Sequence, residues 1–144
     1  MMKAACHCGA VRFEVEAAPQ WVLDCNCSLC RRYGALWAYP DAGQVNVLKM
    51  PDLGVTETYV WGDRDLAFHR CGTCGCVTHM EAISVDPPVL YGLNVRMMPA
   101  LDPSTVNLRQ VDNGHSGVFW TRSDEPVRPS RHPPMPPPGP DDWR

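Results

Sequence analysis

The chain has 144 residues, 44% of them hydrophobic, with eight cysteines and a formal net charge of -3. That size fits one domain with a modest core. No Lys- or Arg-rich block marks a nucleic-acid surface, and no apolar run approaches the length of a membrane span.

Met1 to Cys6 lacks the long apolar stretch of a signal peptide, so the expected compartment is the cytoplasm, where thiols stay reduced. Cys6 to Gly9 opens a turn. Val11, Phe13 and Val15 then alternate with Arg12, Glu14 and Glu16, which predicts a half-buried strand ended by Pro19. Trp21-Val22-Leu23 reads as a second short strand leading into Cys25. The aromatic run Ala35 to Tyr39, closed by Pro40, suits a strand better than a buried helix. Asp41-Ala42-Gly43 marks a turn, and Val45 and Val47 begin another strand.

Thr56 to Trp61 and the segment from Leu66 to Cys71 read as two arms of a hairpin, turned at Gly62-Asp63. Val77 to Glu81 is a strand, Pro87-Pro88 a break, and Val89 to Val95 the last clear strand. Asp102 as N-cap with Pro103 after it is a candidate start for a short helix. Many short strands, no long amphipathic helix and no internal repeat predict a mostly β fold. From Pro126 to Arg144, eight of nineteen residues are proline. Such a stretch favours an extended polyproline tail, so the division expected is a domain over 1–125 and a tail over 126–144.

The cysteines fall in three groups: Cys6 and Cys8; Cys25, Cys27 and Cys30; and Cys71, Cys74 and Cys76. Zinc held by four thiolates needs sulfurs about 3.7–3.8 Å apart, which a C-x-x-C turn provides. Cys71 and Cys74 have that spacing, and Gly72 and Gly75 ease the turn. Cys6 and Cys8 can complete the set, tying the first strand to a distant hairpin and so stabilising a small core. The central group offers three thiols and no obvious fourth. Three ligands leave a position for substrate, and a thiol suits it because zinc holds it as thiolate. Arg31 and Arg32 then either attract a carboxylate-bearing substrate or are solvated surface charges. Cys76 is either a fourth ligand closing the central site or a small buried hydrophobe. His79 reads as a hydrogen-bonded structural histidine or as a general base. His7 points to solvent, while His69, His115 and His132 carry no motif.

Three motifs, Cys6-x-Cys8-Gly9-Ala10-Val11-x-Phe13, Cys25-x-Cys27-Ser28-x-Cys30-Arg31 and Cys71-x-x-Cys74-Gly75, occur in this order, with Asn94-Val95-Arg96 after them. Together they resemble the glutathione-dependent formaldehyde-activating enzyme family over about residues 3–120. Asn26 stands where many relatives have histidine, and Cys76 lies outside the core motif. The resemblance implies a mostly β, Mss4-like β-tent stapled by zinc. It implies two zinc ions per chain: a structural one on Cys6, Cys8, Cys71 and Cys74, and a catalytic one on Cys25, Cys27 and Cys30. The implied activity is that of a carbon–sulfur lyase, condensing glutathione or a similar thiol with formaldehyde or another small aldehyde. The competing expectations are a zinc module that binds a protein partner and a thiol-based redox sensor. No nucleic-acid or membrane partner is expected.

Overall fold

Strands that alternate apolar and polar residues bury one face each, and that rule sets where both thiol groups lie. The computed structural model describes residues 1–40, 45–49, 52–102 and 105–111, with the backbone of 112 and 118–126. Its strands are β1 (Met2–Ala5), β2 (Arg12–Val15), β3 (Trp21–Cys25), β4 (Trp37–Ala38), β5 (Val47–Lys49), β6 (Thr56–Val60), β7 (Leu66–Cys71), β8 (Val77–Ala82), β9 (Val89–Asn94), β10 (Asn107–Asp112) and β11 (Val118–Pro126). They make a three-stranded sheet, β1-β2-β5, and an eight-stranded sheet, β11-β10-β3-β4-β9-β8-β7-β6. Among the described residues the α-helix is a single turn, α1 (Cys30–Tyr33), beside short 3-10 turns at Leu53–Val55 and Val95–Met97. No helix of the described residues is long and apolar enough to cross a membrane.

The mostly β reading holds, and the run Ala35 to Tyr39 does supply a strand. Trp37 pairs with Leu23 of β3 on one side and with Asn94 of β9 on the other. Three strands were not foreseen: β1, β10 and β11. Nor was α1, which starts on the last thiol of the central group. Val89 to Val95 is therefore not the last strand; β11 runs to Pro126, the first residue of the expected tail. The polyproline expectation for the remaining residues lies outside those described. The same is true of Pro103 in the proposed helix start, where the described part is a turn: Thr105 donates to the Asp102 carbonyl through its amide (3.1 Å) and its hydroxyl (2.8 Å).

One pairing departs from an antiparallel plan. β10 runs parallel to β3, with Asn107 beside Trp21 and Val111 beside Cys25. Parallel neighbours need a long crossover, and here most of the fold serves as that connection. The consequence is local to the site, since β10 covers the strand that delivers Cys25.

Strand β3 also shows how the core divides. Val22 packs with Ala4, Phe13, Val15, Ala38, Leu93 and Leu108, a cluster that includes Cys6 and Cys71. The next residue, Leu23, packs with Cys25, Cys30, Trp37, Phe68, Met80 and Val111. Neighbouring residues on a strand point to opposite faces, so the large sheet carries one thiol group on each side. Asn94 fixes the middle of this sheet from a buried position. Its side-chain carbonyl accepts from the amides of Leu36 (3.3 Å) and Arg96 (3.2 Å), and its amide group donates to the Val77 carbonyl (2.8 Å).

Candidate metal and active centre

On one face, the turn after β1 and the turn after β7 meet. The Gly9 amide bonds the Cys6 carbonyl and the Gly75 amide bonds the Cys71 carbonyl, each at 2.9 Å. Both glycines sit at φ 76°, a left-handed conformation that other residues adopt at a cost. These two turns bring together Cys6, Cys8, Cys71 and Cys74, whose sulfurs all lie within 4.8 Å of one another. Cys8 Sγ is 3.6 Å from Cys6 Sγ and 3.6 Å from Cys71 Sγ. That is far beyond a disulfide bond of about 2.05 Å and close to the edge of a zinc–thiolate tetrahedron, about 3.7–3.8 Å. Backbone amides support the sulfurs, Val11 N–H donating to Cys6 (3.2 Å) and Thr73 N–H to Cys71 (3.4 Å). The donor set fits a closed four-thiolate metal site.

Cys76 belongs to this face. It interacts with Cys74 and feels the charge of Cys6, and its carbonyl accepts from the Cys71 amide at 2.9 Å. It does not close the central group, because the bulged hairpin between β7 and β8 carries it to the other side of the sheet.

On the opposite face, β3 ends at Cys25 and α1 begins at Cys30. The turn between them is tight: the Arg31 amide reaches the Cys27 carbonyl (3.2 Å), and the Tyr33 amide reaches the Leu29 carbonyl (3.1 Å). Gly34, at φ 61°, ends the helix after one turn. The sulfurs of Cys25, Cys27 and Cys30 converge within 4.8 Å, and among the described residues no fourth Cys, His or carboxylate joins them. The Cys30 amide donates to Cys27 Sγ, and the Trp37 indole N–H donates to Cys30 Sγ, both at 3.3 Å. Hydrogen bonds from the Cys25 and Cys30 thiols, aided by the Cys30 and Leu29 amides, hold the Cys27 thiol well below its usual range. Hydrogen bonding with Cys25 and Cys27, together with burial, pushes Cys30 well above it. Cys27 is half-buried, while its two neighbours are buried.

The three thiols line a cavity of about 350 Å³, walled by Trp37, Tyr39, Trp61, Phe68, Met80 and Tyr91. Trp61 and Phe68 also line a second hollow of about 580 Å³, which carries Arg32, Tyr33, Tyr59 and Arg70. Sequence reasoning named Arg31 and Arg32; the structure puts Arg32 in this lining and adds Arg70, which bonds Glu57 at 2.5 Å on the exposed side. Trp37 was not foreseen as a site residue. Its signal was present, an indole in an apolar run close after the thiols, but only the β3–β4 pairing aims it at Cys30.

The family model for the glutathione-dependent formaldehyde-activating enzyme matches residues 1–98, a span that holds all three cysteine groups and Asn94 to Arg96. The chain belongs to that family. The matched span is shorter than the stretch up to about residue 120 suggested by the motifs. A crystal structure of a Rhodobacter sphaeroides protein is similar, with 32% identity and a TM-score of 0.53, covering 74% of this chain and 99% of the other. Within this family member, both thiol groups could hold metal ions.

The indole bond gives a test of how the central group is held. Outer-shell partners of metal ligands are commonly worth about 10–100-fold in metal affinity. Trp37→Phe should therefore weaken metal retention by the Cys25, Cys27 and Cys30 group by about that factor in a competition titration with a chromophoric chelator. The four-thiol group, on the other face of the sheet, should keep its affinity.

Proposed function

We propose that this protein joins a small thiol to a small aldehyde, formaldehyde being the simplest, at the Cys25, Cys27 and Cys30 centre. The observation that carries this reading is a group of three convergent thiols that opens into a cavity and that no fourth ligating side chain among the described residues closes. Three thiolates match a catalytic zinc set, and four match a structural one. Zinc held by Cys25, Cys27 and Cys30 would supply thiol activation, lowering the pKa of a bound thiol so that it reacts as thiolate. A second zinc on Cys6, Cys8, Cys71 and Cys74 would act as a staple. The carbon–sulfur lyase class and the family's named substrates, glutathione and formaldehyde, agree with this arrangement.

The addition balances without a redox partner. The substrate sulfur forms a bond to the aldehyde carbon, the carbonyl π pair moves to oxygen, and the thiol proton ends on the new hydroxyl. The chain's own groups position these events. Trp37, Phe68 and Met80 make an apolar wall that keeps water from the carbonyl. Burial holds the Tyr39 phenol protonated well above its usual range. It is thus a hydrogen-bond donor, not a base, for a developing alkoxide in the cavity it lines. The adjoining hollow takes the rest of the thiol substrate, with Arg32 and Arg70 as partners for its carboxylates.

Following ¹³C-formaldehyde by NMR tests the assignment. The zinc-loaded protein should speed both formation and breakdown of the hydroxymethyl thioether of glutathione; rates equal to the buffer background across several thiols and aldehydes would refute it. The arginines give a sharper check. Charge-assisted hydrogen bonds are worth about 1.5–3 kcal/mol, so Arg70→Ala should raise KM for glutathione by roughly 10-fold or more. KM for the uncharged 2-mercaptoethanol should stay unchanged. Arg32→Ala should behave in the same direction.

A further inference from the structure

The hairpin of β7 and β8 hides a third cluster that the proposed chemistry does not use. Phe68 and Met80 face the cavity, so His69 and His79 point to the other side of the sheet. The two histidines are register partners, and their rings stack 4.2 Å apart at 14°. They are buried, at 4% and 0% exposure, and Glu81 beside them is 9% exposed. Phe13 packs edge-on against His79.

Counting protons shows what this cluster lacks. The Thr56 hydroxyl, with one proton to give, lies 2.9 Å from both the Leu53 carbonyl and His69 Nδ1. With that proton on Leu53, His69 Nε2 faces Glu81 Oε2 at 3.1 Å as an acceptor against an acceptor; with it on Nδ1, Nε2–H donates to Glu81. The same holds one strand over. The Thr78 hydroxyl donates to the His69 carbonyl (3.4 Å) and accepts from His79 Nδ1–H (2.9 Å). His79 Nε2 is left buried with no hydrogen-bond partner. One proton between His69 and Glu81 would settle that pair and leave His79 Nε2 bare. A cation bound by all three would satisfy every one of them.

We infer that His69, His79 and Glu81 form a third metal site, for a first-row divalent ion such as zinc or iron(II). Each of the three residues offers a ligand atom within 4.8 Å of the others. Two imidazoles and a carboxylate suit these ions. Both Nδ1 atoms are already tied to threonine hydroxyls, the usual outer support of a ligating histidine. Loading draws the ligand atoms inward and turns one imidazole out of the stack, since parallel rings cannot both aim a lone pair at one ion.

Cobalt(II) titration of the reduced full-length chain reads this site separately from the other two. Thiolate sites give strong sulfur-to-cobalt charge-transfer bands, and a nitrogen–oxygen site gives only weak d–d bands. A third equivalent that adds d–d absorption alone, and that Glu81→Gln removes while the thiolate bands persist, is the expected result. Loading that stops with the thiolate bands overturns the inference. Anomalous diffraction from crystals of the unaltered protein grown with cobalt or zinc decides the matter even if Glu81→Gln fails to fold. A peak between the two histidines supports the site, and peaks confined to the cysteine groups, with a water or nothing between the rings, refute it.

Discussion

Cys27→Ser is expected to abolish thiol–aldehyde addition while leaving the fold in place. Cys27 is the half-buried member of the central group, and it gathers hydrogen bonds from its two neighbours and from backbone amides. A serine hydroxyl is isosteric but stays protonated at neutral pH and is a poor ligand for a soft metal site. Outer-shell losses alone cost up to about 100-fold, so losing a ligand should cost at least that in kcat/KM. The side chain is half-buried, lines the cavity and packs only at the edge of the core cluster, so urea denaturation should show a midpoint near that of the unaltered chain. Metal analysis should show the four-thiol site still loaded. A variant that keeps full activity would remove the central group from the mechanism.

Cys71→Ser is expected to have the larger effect on stability. Cys71 is 1% exposed and packs into the core cluster that holds Cys6, Phe13 and Val22. The metal it shares with Cys6, Cys8 and Cys74 would join the turn after β1 to the turn after β7. Without that tie the three-stranded sheet, which has few strands of its own, is held to the large sheet mainly by apolar packing. Loss of a structural metal is among the few changes that cost more than about 4 kcal/mol. Ligand loss, or removal of zinc by a strong chelator, should therefore give a broad, early unfolding transition. Thermal melts with and without restored zinc measure this. Because thiolates must be deprotonated to bind, chelation should also be easier in mild acid than at neutral pH. A sharp, unshifted melt after complete metal removal would show that packing alone carries the fold.

Both effects trace to groupings already visible in the chain, yet to different degrees. The pairing of Cys6 and Cys8 with Cys71 and Cys74 was legible because thiol spacing is a local constraint that few structures other than metal turns satisfy. The strand from Val11 was legible through its period of two, and those from Trp21, Thr56, Leu66, Val77 and Val89 as short strand-forming runs set off by turn signals. Strand β10 was not, since Asn107-Leu108-Arg109-Gln110 has weak strand propensity and gains its conformation by lying parallel to β3. Helix α1 was missed because one turn is too short to show a period.

The sequence by itself determined the family, the mostly β class and the split of seven thiols into a set of four and a set of three, because those depend on residue identity and short spacings. Only the tertiary structure decided that the two sets sit on opposite faces of one sheet. It also decided that Cys76 stays with the four, that Trp37 serves Cys30, and that His69 and His79 meet beside Glu81. Each of these is a contact between segments far apart in the chain, set by strand order and register, and no local pattern encodes them.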